Sequence, residues 1–203
     1  MSNNIAPIKT IREQIAGHLR ADILSGNFPK GYPLREQPLA ERFGVSRGPI
    51  RDVLLQLTQE GMLVSVPNCG VRVSGEPSEW VQPLIVKVRV EIETFALRNS
   101  IHKIGPAQIA EMERLIAKLG EACERRDIAK IAELDIAFHQ ALLKCAGDEE
   151  IVSMWVPIVT RMIMHYSRHK DISQSHEEHI AILQAVRDKD LERAITALEA
   201  NIQ

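Results

Sequence analysis

The stretch that decides the fold reads Leu34-Arg35-Glu36-Gln37-Pro38-Leu39-Ala40-Glu41-Arg42-Phe43-Gly44-Val45-Ser46-Arg47-Gly48-Pro49-Ile50-Arg51. Glu36 to about Phe43 forms a short helical segment, Gly44 and Val45 make a tight connection, and a second helix runs from about Arg47 to Glu60. Ser46 is placed as the N-cap of that second helix. Pro49 falls in its first turn, where backbone N–H groups have no intrahelical partner in any case. Gly61 ends it. Pro38 is the irregular residue, and it is expected to shift the start of the preceding short helix.

Upstream, Ile8, Ile11, Ile15, Leu19 and Ile23 recur at spacings of three and four, one apolar helical stripe that ends near Ser25-Gly26. Downstream, Leu63 to Val66 and Val71 to Val73 are β-prone runs separated by Pro67-Asn68-Cys69-Gly70, which reads as a hairpin. Two helices joined by a tight turn, the second followed by a hairpin, can place that second helix in the major groove of DNA and the hairpin in an adjacent groove. Arg47 and Arg51 are four apart and share one helical face, and an Arg can take guanine O6 and N7 in a bidentate way. Ser46 and Gly48 stand at the helix N-terminus, where backbone N–H groups and the dipole favour a phosphate. Arg35, Arg42 and Arg72 supply further charge toward a DNA backbone. On charge spacing alone, the alternative for Arg47 and Arg51 is a solvated face paired to acids such as Asp52.

The charge distribution separates two halves. Of 25 basic and 27 acidic residues, nine and six fall within residues 1–74, so a positive segment precedes a negative remainder in a chain of net charge -2. Gly75 and Pro77 break the periodic pattern where the sign changes, so the boundary is placed at residues 75–79. Beyond it only helical periodicity appears, at roughly 79–102, 106–125, 127–146, 149–170, 173–188 and 190–203, with a kink or displaced boundary expected at Pro83 and at Pro157. The expected fold is mainly α: a winged helix-turn-helix over residues 1–74, a linker at 75–79, and an all-α bundle of about six helices over 80–203.

The longest apolar stretches, such as Ile151 to Met164, fall short of the roughly 20 residues a bilayer crossing needs. Asn3, Asn4, Lys9, Arg12 and Glu13 leave no apolar h-region, so a cytoplasmic location without membrane contact is expected. Cys69, Cys123 and Cys145 are odd in number and lack CxxC pairing, and read as reduced thiols.

The run from Gly31 to Gly61, quoted in large part above, resembles the GntR family of bacterial regulators, and the match extends over residues 8–74. The resemblance implies dimers on short palindromic operators, base or phosphate contacts by Arg47 and Arg51, and a wing shaped by Gly70.

In the second half, Asp135 and His139 are four apart on one helix and can point at a common centre as metal ligands, the alternative being a hydrogen-bonded pair on the surface or in the core. His165 with His169, four apart, and His176 with His179, three apart, offer substitutes, the alternative for each pair being surface or packing material. His176-Glu177-Glu178-His179 lacks the spacing of a zinc protease signature. The sequence Leu134-Asp135-Ile136-Ala137-Phe138-His139, followed by Glu178-His179-Ile180-Ala181-Ile182-Leu183, is similar to the FCD ligand-binding domain of the FadR subfamily over residues 79–203. That resemblance implies a divalent metal, such as zinc or nickel, held at the positions of Asp135, His139, His179 and Asn201. Asn201 stands where many members have a third His, and an amide oxygen is a weaker ligand than imidazole for zinc or nickel, though acceptable to harder ions.

Arg89 and Arg161 lie on otherwise apolar helical stretches, where an Arg fork can take a carboxylate, the alternative and default being placement on the surface. The family resemblance implies a small organic-acid effector, so Arg89 and Arg161 are the candidate effector contacts. The expected function is a homodimeric DNA-binding regulator switched by that effector, without enzymatic activity. The alternatives are a metal-dependent enzyme with an accessory DNA-binding module, and a purely structural metal without effector.

Overall fold

The computed structural model describes residues 10–67, 69–169 and 174–202, and the backbone alone for 165–169. Ile8, Asn68, the side chains of His165 and His169, and the expected helix ends at 170, 173 and 203 lie outside the described residues. The chain divides into two compact units between Gly75 and Glu76.

In the first unit, α1 spans Ile11–Leu24 and starts with a capping box: the Thr10 hydroxyl accepts from the Glu13 N–H while the Glu13 carboxylate accepts from the Thr10 N–H. Its stripe is buried at Ile15, Ala16, Leu19 and Ile23, whereas Ile11, in the first turn beyond the packed face, is 56% exposed. β1 (Pro33–Leu34) precedes α2 (Glu36–Phe43) and α3 (Arg47–Gln59). Gly44 closes α2 with φ of 64°, a left-handed conformation that costs glycine little and lets the chain turn sharply into α3. Pro38 does not displace the start of α2. It occupies the first turn, where its missing N–H would have had no helical acceptor. Ser46 holds the N-cap position of α3 with extended backbone, but its side chain makes no capping hydrogen bond, contrary to the expected cap.

The hairpin is β2 (Leu63–Val66) with β3 (Gly70–Val73), and β3 lies centrally because β1 pairs antiparallel with its other edge, Leu34 opposite Val71. Leu34, Ile50, Val53, Leu57, Met62, Leu63 and Val73 join the α1 stripe in the buried core. Arg20 on α1 makes a two-pronged ion pair to Glu60 at the end of α3, with bonds of 3.0 and 2.6 Å.

Six α-helices make up the second unit among the described residues: α4 (Gln82–Ser100), α5 (Pro106–Glu124), α6 (Ile128–Lys144), α7 (Glu149–His169), α8 (Ser175–Arg187) and α9 (Leu191–Ile202). Pro83 sits in the first turn of α4, which therefore starts three residues later than its periodicity suggests, and a 3₁₀ turn at Ile101–Lys103 tightens its end. α7 is assigned continuously through Pro157. α4 packs against α6, α7 and α9, while α5 packs against α6 and α8. Their shared core holds Leu97, Met112, Phe138, Leu142, Met162, Ile182 and Leu198. No described helix is long and apolar enough to cross a membrane.

Candidate nucleic-acid interface and metal centre

The N-terminal end of α3 carries Arg47 and Arg51 one turn apart, both more than half exposed. Their closest acid is Glu36, the first residue of α2, rather than Asp52, which pairs with Arg12 at 3.2 Å. Arg47 donates from Nε (3.1 Å) and Nη2 (2.8 Å) to Glu36 Oε2; Arg51 donates from Nε to Oε1 (3.0 Å) and from Nη2 to Oε2 (3.2 Å). One carboxylate thus holds two guanidinium planes side by side and leaves three of the five N–H groups on each to reach outward. The hydrogen bonds from Arg51 and Arg47 lower the Glu36 carboxyl to about 2, so it remains the anion that orients them. Sequence reasoning missed Glu36 because the contact crosses the turn between helices and has no helical spacing.

Arg35, Glu36, Arg47, Arg51, Leu55 and Gly70 line a groove of about 520 Å³ between the head of α3 and the hairpin. Gly70 enters β3 at φ of 77°, so the hairpin tip turns there without side-chain strain. Ser46 and Gly48 are exposed at the head of α3, where the first backbone N–H groups lack helical acceptors. Leu55, 58% exposed one turn beyond Arg51, adds an apolar surface suited to a thymine methyl. Two of the further basic residues have structural partners. Arg42 pairs with Asp22 at 2.7 Å and lies over the Phe28 and Phe43 rings, and Arg72 donates to the Gly31 carbonyl. Cys69 is exposed in the turn, and none of the three cysteines forms a disulfide.

Three helices of the second unit bring the four candidate metal ligands together: Asp135 and His139 from α6, His179 from α8 and Asn201 from α9. Ligand atoms of the first three lie within 4.8 Å of one another. The outer side of each ring is already committed. His179 Nδ1 lies 2.6 Å from the Ser175 carbonyl, which only accepts, so the proton is on Nδ1 and Nε2 carries a lone pair. His139 Nδ1 lies 2.6 Å from Glu93 Oε2, and an ionised carboxylate takes that proton as well. The two Nε2 atoms then face Asp135 Oδ1, at 3.4 Å from His179 and 3.8 Å from His139. His179 Nε2 is buried without a hydrogen-bond partner among the described residues. Asn201 Oδ1 is 3.0 Å from His139 Nε2, while its amide nitrogen donates to Glu178 Oε2 at 3.0 Å. Lone pairs converging in a buried space repel one another unless a cation or a proton lies between them. A divalent ion at their centre matches this donor set, with Glu93, Ser175 and Glu178 as the outer partners that fix ligand orientation.

Glu93, fully buried, also accepts from Arg89 Nε (2.7 Å) and Trp155 Nε1 (2.6 Å). Burial pushes its carboxyl up, but when His139 carries a second proton in place of an ion, its charge and that of Arg89, with their hydrogen bonds, outweigh that and bring it to about 2. Asp135 is likewise raised by burial and then carried well below the usual carboxylate range, chiefly by the charge of Arg89. Arg89 is therefore a buried counter-charge: it bonds Glu93 and lies 3.6 Å from Asp135. That differs from the open fork expected of it. Arg161 is exposed on α7, outside the cluster, because its helical phase turns it away from neighbouring Thr160 and Met162, which are buried. His176 packs on Gly120 instead of joining the ligands. Sequence reasoning missed Glu93, Trp155 and the orienting contact of Glu178. Arg89 and Glu93 at i and i+4 on an apolar helix were the available signal.

Residues 11–73 match the family of bacterial regulatory proteins named gntR, and residues 84–203 match the FCD domain. The chain is 26% identical to the HTH-type transcriptional repressor RspR of Escherichia coli K12 over 97% of its own length and 89% of the relative's. It is 25% identical to the gluconate operon transcriptional repressor of Bacillus licheniformis, over 93% of this chain and 80% of that one. Among solved structures, E. coli McbR/YncC shares the fold at a TM-score of 0.79 and 23% identity, covering 97% of this chain and 95% of the other.

Proposed function

The chain belongs to the GntR family of bacterial regulatory proteins and carries an FCD domain, and we propose that this transcriptional regulator acts in the cytoplasm as a homodimer whose operator affinity is set by a small carboxylate bound beside a divalent ion. The observation that carries the reading is the inward convergence of Asp135 Oδ1, His139 Nε2, His179 Nε2 and Asn201 Oδ1, the last three held from outside by Glu93, Ser175 and Glu178. These four residues hold the ion, and the ion supplies an open coordination position to an anionic oxygen.

The chemistry of the ion supports a carboxylate as the effector, since a divalent ion held by these side chains attracts an anionic oxygen. The name of one relative ties it to the operon for gluconate, a sugar acid, which agrees with this class. A dimer is supported by Leu84 and Phe95, each 58% exposed and eleven residues apart on one face of α4, a surface a second copy would cover.

On DNA, Arg47 and Arg51 read guanine edges from α3 while Arg35 and the N–H groups around Ser46 and Gly48 take phosphates. Gly70 lets the wing approach. Half-sites about one helical turn apart require a fixed spacing of the two reading units, so an effector that favours another spacing weakens both contacts together. Fluorescence anisotropy on a sequence-selected palindromic duplex tests this: two chains per duplex are expected, with affinity roughly 10³-fold or more above random DNA. A folded protein that binds both duplexes equally, or as a single chain, contradicts it.

A further inference from the structure

Resting on the metal reading above, we infer that Glu178 makes Asn201 a ligand, so that the ion is held by two nitrogens and two oxygens. A carboxamide donates at one end and accepts at the other, so an Asn serves a cation only if something fixes which end faces it. Here Asn201 Nδ2 donates to Glu178 Oε2, and because an ionised carboxylate only accepts, Oδ1 is turned the opposite way, to 3.0 Å from His139 Nε2. His139 meets Glu93 through Nδ1, so a neutral ring turns the lone pair of Nε2 toward the Asn201 oxygen. That contact is favourable with a cation between the two atoms, or with a proton in its place. Adjacent residues of α8 thus do two jobs: His179 ligates directly, and Glu178 orients the ligand contributed by α9.

A selectivity follows. Imidazole favours zinc and nickel, whereas amide and carboxylate oxygens suit harder ions such as manganese, so replacing a third imidazole by an amide oxygen narrows the preference for zinc over manganese. Glu178 also lies in the first turn of α8, where an acid stabilises the helix dipole without touching any ion. The experiment must separate the two roles.

Manganese and zinc affinities are measured by competition with a chromophoric chelator, using full-length apo protein: wild type, Glu178→Ala, Asn201→Asp and the double substitution. Circular dichroism and the apo unfolding midpoint verify that each variant folds. Glu178→Ala is expected to weaken manganese binding about 10- to 100-fold, the usual loss for an orienting partner. In the Asn201→Asp background either terminal oxygen can face the ion, so the same change costs less than about 2-fold, within the additivity error of such cycles. Asn201→His is expected to raise the zinc-to-manganese affinity ratio on the order of 10-fold. An unchanged affinity in Glu178→Ala, or an equal loss in both backgrounds, overturns the orienting role and leaves the ion site standing. A wild type that binds neither ion overturns the metal reading itself.

Discussion

The two polar constellations balance their charge in opposite ways. Around Glu36 a single carboxylate gathers two exposed arginines, leaving a net positive surface turned to solvent. Around Glu93 a fully buried carboxylate gathers Arg89, His139 and Trp155, and the charge is matched inside the bundle. Water screens the first arrangement, so it is free to meet a polyanion at little cost in stability. The second is unscreened, so anything added to it or removed from it is felt by every helix that contributes a side chain. A reading surface and a sensing interior therefore call for opposite electrostatic designs.

The sharpest way to break the comparison is at its buried end. Glu93→Ala leaves Arg89 and His139 without their shared counter-charge and is expected to cost about 3–5 kcal/mol in denaturant unfolding of the helical unit, as for other broken buried pairs. A loss under ~1 kcal/mol, the level of an exposed pair, would erase the distinction between the two regions. At the surface, Arg51→Ala is expected to cost about 1–3 kcal/mol of operator affinity and to relax the preference for one base, while changing unfolding by less than about 1 kcal/mol, the level of an exposed pair.

Glu36→Gln removes the anion but not the arginines. The ratio of operator to random-DNA affinity should fall on the order of 10-fold, about 1.4 kcal/mol, because the forks lose their shared orientation. Affinity for random DNA should rise, since a negative charge leaves the interface. A pH series adds a signed check on the same residue. The folded carboxyl is lowered from 4.5 to about 2, so its contribution to stability is present above pH 4.5 and disappears as pH falls toward 2. The unfolding curves of wild type and Glu36→Gln should converge over that interval. The smallest effect is expected of Pro38→Ala, under ~1 kcal/mol, because Pro38 already fits the first turn of α2 and acts mainly by restricting the unfolded chain.

The exposed site was the more legible one. Ser46-Arg47-Gly48-Pro49 marks the start of α3 by local chemistry, and Arg47 and Arg51 share a face by periodicity alone. β1 was not legible, since a strand of two residues is defined only by its pairing with β3. In the helical unit, Asp135 and His139 are paired by their spacing. His179 and Asn201 came from resemblance to a family, and Glu93 and Trp155 join them only because α4, α6 and α7 pack together. The open fork expected of Arg89 failed for a local reason: an Arg on an apolar stretch suggests reach, and Glu93, one turn away on the same helix, claims it.

The central claim is that the buried cluster makes DNA reading conditional. Operator affinity measured on metal-loaded wild type and His139→Ala, with and without gluconate or citrate, tests it most directly. The account predicts that at least one of these carboxylates shifts the wild-type affinity about 5-fold or more, a typical coupling free energy, and that the shift vanishes in His139→Ala. Equal operator affinities in the two proteins, unmoved by either carboxylate, would contradict it.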